Sequence, residues 1–207
     1  MGHYDTKKGI AEYTKRSQKW GGHKIIKILK KYLPKNSTLL EIGMGPGRDF
    51  EILKKIYSAT GSDCSKAFLE KYKQSNKKTD LIKLDAVTLR TARRFDGIYT
   101  NKVLQHLTKR DLRKSIKKQK EILNPGGIAF HSFWKGNKTE HKRGLRFVYY
   151  EIEQLKKIIG NHFKILEIKK FTEMKKNDSI YVVLKKQESS CQSGNVTQQR
   201  NTRKPIV

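Results

Sequence analysis

The stretch Leu39-Leu40-Glu41-Ile42-Gly43-Met44-Gly45-Pro46-Gly47-Arg48-Asp49-Phe50 constrains this chain more than any other. A short apolar run, the length of a buried strand, leads straight into three glycines at alternate positions. Behind them Phe50, Ile52, Leu53 and Ile56 recur at helical spacing. Glycine tolerates positive φ and carries no Cβ, so such a turn lets backbone N–H groups approach a ligand closely. In doubly wound α/β folds the ligand lies at the carboxyl ends of the strands, where this turn would sit.

The rest of the chain repeats the alternation. A helix is expected over 24–33, where Ile25, Ile28, Leu29 and Tyr32 share a face and Pro34 stops it. Strands are expected at 38–42, 57–62, 80–84, 95–100 and 128–134, with helices over 48–56, 65–72 and 151–159. Thr108 with Asp111 three positions on is a capping pattern for a helix that shows Leu112, Ile116, Gln119 and Leu123 on one face. Asn124-Pro125-Gly126-Gly127 reads as a turn, and Gly160 as a C-cap. Strands at 163–171 and 179–185 follow with no helix between them, so they should pair antiparallel. The expectation is an α/β, Rossmann-like, doubly wound sheet of about seven strands. It should be mostly parallel, close with an antiparallel C-terminal hairpin, and carry helices on both faces. The segment 1–23 reads as polar and irregular, a lid candidate through Tyr13 and Trp20 or a simple cap on the sheet. Residues 24–186 form the domain, and 187–207, without apolar periodicity, a disordered tail.

Bulk properties narrow the classes. A length of 207 residues fits one domain with a sizeable core. Cys64 and Cys191 form no CxxC pair and no zinc-ligand cluster, so no metal site is expected and the thiols read as reduced. The start lacks an apolar signal region, and no apolar run nears the roughly 20 residues a bilayer span needs. A cytoplasmic protein with no membrane contact is the default reading. The net charge is +28, from 47 Lys and Arg against 19 Asp and Glu. So basic a protein either has a solvated lysine surface or presents a footprint for RNA. The spread of lysines over nearly every element favours the first.

Acids stand where an adenosyl group would need them. Asp63 follows the second strand, about 20 residues after the glycine strand, in the place of a ribose-binding carboxylate. Asp85, followed by small Ala86, ends the third strand and could accept from an exocyclic amine. A nicotinamide fingerprint would want its third glycine one place later than Gly47, and Arg48 stands there.

Together these residues resemble the class I S-adenosylmethionine-dependent methyltransferases. Glu41 to Gly47 is similar to that family's first motif, an acid followed by GxGxG, Asp63 to its ribose acid, and Asp85-Ala86 to its adenine-side motif. Phe95-Asp96-Gly97-Ile98-Tyr99-Thr100-Asn101 with Val103-Leu104-Gln105-His106-Leu107 resembles the fourth-strand motif, and Leu123-Asn124-Pro125-Gly126-Gly127 the turn before strand five. The resemblance implies S-adenosyl-L-methionine as cofactor, a seven-stranded sheet with its last strand antiparallel, and a cofactor site of Glu41, Gly43, Gly45, Gly47, Asp63, Cys64, Asp85, Ala86 and Asn101.

Methyl transfer from a sulfonium is an in-line displacement that needs positioning more than an acid or base. The acceptor is therefore the hard question. The cysteine nucleophile of pyrimidine C5 chemistry and the Pro-Pro-aromatic motif of amino-adenine enzymes are missing, which leaves O- or N-methylation. A small-molecule acceptor is expected, because no RNA-binding module is added, with an RNA-directed protein on the same fold as the alternative. Asn101, Gln105, His106, His131, Trp134, Tyr149 and Tyr150 are the acceptor-side candidates. His106 reads as a general base or a helix cap, and His131 as a core histidine or a base. Tyr149 and Tyr150 read as pocket wall or as packing behind the basic 135–146 loop.

Overall fold

A computed structural model describes residues 7–16, 21–142 and 144–187. Trp20, Cys191 and residues 188–207 lie outside the described residues. Seven strands form one sheet: β1 (Thr38–Ile42), β2 (Ser58–Asp63), β3 (Leu81–Lys83), β4 (Phe95–Asn101), β5 (Leu123–Trp134), β8 (Lys164–Phe171) and β9 (Ser179–Lys185). Their order is β3-β2-β1-β4-β5-β9-β8. The first five are parallel, while β9 runs antiparallel to both β5 and β8, as the helix-free connection requires. The Rossmann-like architecture expected from the alternation is therefore present.

Helices cover both faces because strand residues alternate in direction. Leu39, Tyr99, Phe130 and Val183 point to one side, where they pack with Ile25, Ile26 and Leu29 of α2 (His23–Leu29) and Leu53 of α3 (Arg48–Leu53). Leu40, Ile98, Ala129 and Val182 point to the other. Leu112 and Ile116 of α5 (Lys109–Ile122) meet them there, with Leu155 and Ile158 of α6 (Ile152–Ile159). Near the glycine turn α4 (Lys66–Ser75) adds a smaller cluster of Leu69 and Tyr72 with Met44 and Phe50. A strand apolar on both faces is the mark of a sheet buried on both faces. The Thr108 cap forms as its spacing suggests: its Oγ accepts from Asp111 N–H at 3.0 Å and donates to the Asp111 carboxylate at 2.7 Å. Such a cap stabilises a helix by about 1 kcal/mol.

Three readings are corrected. The start of the chain is not irregular throughout, because α1 occupies Lys7–Arg16. It has only Ile10 and Tyr13 as spaced apolar anchors, with Tyr13 edge-on to Phe68 of α4 at 5.9 Å. The helix therefore rests on tertiary packing that the local pattern barely shows. The 135–146 segment is not a plain loop either. It folds into the hairpin β6 (Thr139–Lys142) and β7 (Leu145–Val148), with Gly144 at φ 73 in its turn. Polar Glu140, His141 and Lys142 in succession hide the alternation that would have announced a strand. The expected 124–127 turn is taken up as the irregular start of β5, with a register shift opposite Phe95 and Gly97. Among the described residues no helix is long and apolar enough to cross a membrane.

Candidate active site

One cavity of about 590 Å³ opens at the carboxyl ends of β1, β4 and β5, within the 300–1,000 Å³ range of small-ligand sites. The glycine turn forms one side. Gly43, Gly45 and Gly47 have φ of 73°, 52° and 85°, and a Cβ on Gly43 would meet Val103 Cγ1 at 2.6 Å. Asp63 closes the turn from behind. Its Oδ2 accepts the Gly45 N–H and its Oδ1 the Ser65 N–H, each at 2.9 Å. Tyr13 of α1 reaches over the turn and lines the cavity beside Gly45.

Three carboxylates crowd this side. Glu41 at the end of β1 is buried, and its Oε2 has no hydrogen-bond partner. Burial, reinforced by Asp49 and Asp63, pushes the Glu41 carboxyl well above the usual range. Burial also raises Asp63, against its backbone donors. Asp49, on the first turn of α3, accepts from Gly22 N–H (2.6 Å), Tyr99 OH (2.8 Å) and Asn101 Nδ2 (2.9 Å). Asn101 in turn accepts from Ser132 Oγ at 2.6 Å, so its amide is held from both ends. An unpartnered buried carboxylate oxygen facing a cavity, with two further acids behind it, asks for a cation. The ammonium and sulfonium of S-adenosylmethionine fit that demand. Asp49 was missed in the sequence because an acid in a helix's first turn is ordinary.

The opposite side comes from four separate segments. Lys102, at φ 58 just past β4, donates to Phe133 O (2.8 Å) and Ser179 Oγ (2.7 Å), and pairs with Glu173 Oε2 at 3.0 Å. Its ammonium lies 3.7 Å from the centre of the Trp134 ring. Burial brings the Lys102 pKa down to about 8, with Glu173 acting against the shift. His106 ends a short 3₁₀ turn, Leu104–His106. Its Nδ1 lies 2.7 Å from the Arg146 carbonyl and its ring meets Phe147 edge-on at 4.7 Å. Burial holds its pKa below the ordinary imidazole value. The helix-cap reading of His106 is thus set aside, since Thr108 caps α5. Gln105 Oε1 accepts from Trp134 N–H at 3.2 Å.

The cavity lining includes Glu41, Gly43, Gly45, Asn101, Gln105, His106 and Trp134 among the expected residues. Other expected residues stand apart. Asp85 Oδ1 accepts from Val87 and Thr88 N–H in a turn of its own (3.1 and 2.8 Å). Ala86 O holds Ser115 Oγ at 2.6 Å. Cys64 is exposed as a residue, yet its sulfur is partly shielded from water beside Asp63, and this desolvation with the Asp63 charge raises its pKa to about 11. Gly47 packs on Tyr72 and Met44 behind the turn.

Three acceptor-side candidates take the packing alternative and stand away from the cavity. His131 is fully buried between sheet and helices. Its Nδ1 lies 2.9 Å from Thr100 Oγ, and burial lowers its pKa to about 3. Tyr150 is likewise fully buried, edge-on to Phe133 at 5.3 Å. Tyr149 turns outward and donates to Glu140 at 3.4 Å. None of the three lines the cavity; β7 supplies Phe147 and Leu145 to that wall instead.

The family model for the methyltransferase domain matches residues 39–127. No curated protein matches the chain in sequence. Among solved structures, an S-adenosylmethionine-dependent methyltransferase from Clostridium acetobutylicum is similar at TM-score 0.67 and 16% identity, over 79% of this chain and 89% of its own. The N-methyltransferase NodS of Bradyrhizobium japonicum, in complex with S-adenosyl-L-homocysteine, gives 0.63 and 20% over 80% and 87%. The 1,6-didemethyltoxoflavin-N1-methyltransferase of Burkholderia thailandensis gives 0.68 and 15% over 86% and 87%. At these identities the likeness is one of fold.

Proposed function

We infer that this chain, whose residues 39–127 match the methyltransferase-domain model, is a class I S-adenosylmethionine-dependent methyltransferase acting on a nitrogen or oxygen of a small molecule. The observation that carries the reading is the unpartnered, buried Glu41 oxygen at the edge of the glycine turn. A cationic cofactor would take the place of the proton that burial keeps on Glu41 and pair with its carboxylate. The bound cofactor supplies an activated methyl carbon, and the protein's task is then to align an acceptor with it. Gly43, Gly45 and Gly47 shape the turn that would cradle the cofactor. Glu41, Asp63 and Asn101, with Cys64, Asp85 and Ala86 further along the strand ends, would hold its polar groups.

The size of the cavity supports a small acceptor, and so does one structural neighbour, the 1,6-didemethyltoxoflavin-N1-methyltransferase; a second, NodS, is an N-methyltransferase by name. The net charge of +28 keeps an RNA acceptor as a second reading. Calorimetric titration with S-adenosylmethionine and S-adenosylhomocysteine tests the cofactor, with micromolar binding expected. Folded protein that binds neither would overturn the reading. An RNA acceptor requires binding that weakens with salt at a log–log slope near −0.7 per phosphate neutralised. Weak RNA binding with little salt slope removes it.

A further inference from the structure

The lining of the cavity does not share the charge of the chain. In a protein of net charge +28, the cavity's lysines and arginine, Arg48, Lys102 and Lys142, are matched by Glu41, Asp49 and Glu173. The two lysines on the acceptor side are already engaged. Lys102 spends its three N–H bonds on Phe133 O, Ser179 Oγ and Glu173 Oε2. Lys142 pairs with Glu140 at 2.6 Å and is mostly exposed. That side therefore offers an anionic acceptor little unspent positive charge.

It does offer hydrogen-bond acceptors. Glu173 is fixed through Oε2 by Lys102 and Ser179, while its Oε1 has no partner among the described residues. His106 faces a carbonyl through Nδ1, and a carbonyl only accepts, so Nδ1 carries the proton. In the neutral ring, which burial favours, the lone pair is then on Nε2. Lys102 joins Glu173 to the Trp134 ring, Phe147 packs edge-on to His106, and Leu145 lines the same cavity.

We propose that the methyl acceptor is an amine carried on an apolar or aromatic body, held as a cation by Glu173 and deprotonated by His106 Nε2. The inference rests on the methyltransferase reading. Removal of one N–H proton to Nε2 frees the nitrogen lone pair. The N–C bond then forms as the methyl carbon's bond to the sulfonium breaks, leaving a neutral thioether and a methylated ammonium. The imidazolium returns its proton to solvent. Gln105 holds the Trp134 backbone, and with it the ring against which the body of the amine would lie.

The test uses the full chain saturated with S-adenosylhomocysteine. Calorimetry compares 2-phenylethylamine, 2-phenylethanol and 3-phenylpropanoate, which share one ring and differ in charge. The amine should bind at least about 10-fold more tightly than the carboxylate, the scale of one charge-assisted hydrogen bond. Glu173→Gln should remove that preference and Glu173→Asp keep it. His106→Gln should leave S-adenosylhomocysteine affinity unchanged and lower methyl transfer to the amine by about 10²–10⁴-fold. Carboxylate binding as tight as the amine's, no amine binding, or a preference that survives Glu173→Gln would overturn the inference. The wild-type comparison stands even if a variant fails to fold. Failure of the underlying reading shows separately, as absence of S-adenosylhomocysteine binding.

Discussion

The glycine-turn side of the cavity is built from one run of chain, residues 41–49, capped by Tyr13. The facing side gathers Lys102 and His106 from beyond β4, Trp134 from the end of β5, Phe147 from the β6–β7 hairpin and Glu173 from the β8–β9 connection. Their electrostatics differ as much as their construction. The first side leaves a buried carboxylate oxygen unpaired and needs a cation from outside. The second already holds its buried cation, Lys102, in a complete set of internal partners. A contiguous turn is suited to a constant ligand, and an assembly from distant loops is suited to one that varies between proteins on the same fold.

The sharpest break of this contrast is Gly47→Ala. Gly47 sits at φ 85, and an added Cβ would collide with the Tyr72 ring. Left-handed strain and overpacking together should cost about 2–4 kcal/mol of unfolding free energy, read from the urea midpoint. Leu145→Ala, on the half-buried wall of the acceptor side, should cost much less. Equal losses would mean that the two sides are equally rigid.

Next in size is Asp63→Ala. It removes an acceptor from the Gly45 and Ser65 N–H groups and from any ribose hydroxyl. A loss of roughly 1.5–3 kcal/mol, about 10- to 150-fold in S-adenosylmethionine affinity, is expected by calorimetry. Unchanged affinity in a folded variant would put the ribose elsewhere.

These effects fall on residues that were readable in advance, for a physical reason. Glycines at alternate positions between a strand and a helix, and acids at successive strand ends, are local patterns set by backbone geometry. Asp49 was not readable, since its role depends on Gly22, Tyr99 and Asn101 reaching it from far along the chain. Lys102 and Glu173 were missed for the same reason, as 71 positions separate them in a lysine-rich sequence. Hairpin β6–β7 and helix α1 were hidden by charge and by sparse apolar spacing. The core elements, whose apolar residues alternate or recur cleanly, were legible to within a few positions.

Glu41→Gln should separate stability from binding. The folded Glu41 carboxyl is raised by burial and by Asp49 and Asp63, so the folded state holds a proton that the unfolded chain releases near pH 4.3. Its favourable contribution is therefore present below that pH and is lost as pH rises toward the folded value. The variant should be more stable than wild type at neutral pH by about 0.5–2 kcal/mol, with the gap closing toward pH 4. It should also bind S-adenosylmethionine more weakly. A variant less stable than wild type at neutral pH would mean that Glu41 has a partner in the free protein.

The smallest expected effect marks where the acceptor side ends. Tyr150 follows the hairpin whose residues line the cavity, yet it lies wholly in the core, with a hydroxyl that has no hydrogen-bond partner. Burial raises that hydroxyl to about 12. Removing an unsatisfied buried hydroxyl while keeping the ring preserves the packing on Phe133 and lifts a desolvation cost. Tyr150→Phe should therefore shift stability by no more than about 0.5 kcal/mol, on the stabilising side, and leave methyl transfer unchanged. A fall in kcat/KM with stability intact would put Tyr150 in the acceptor wall after all, and would move the boundary between core and site inward by one layer of side chains.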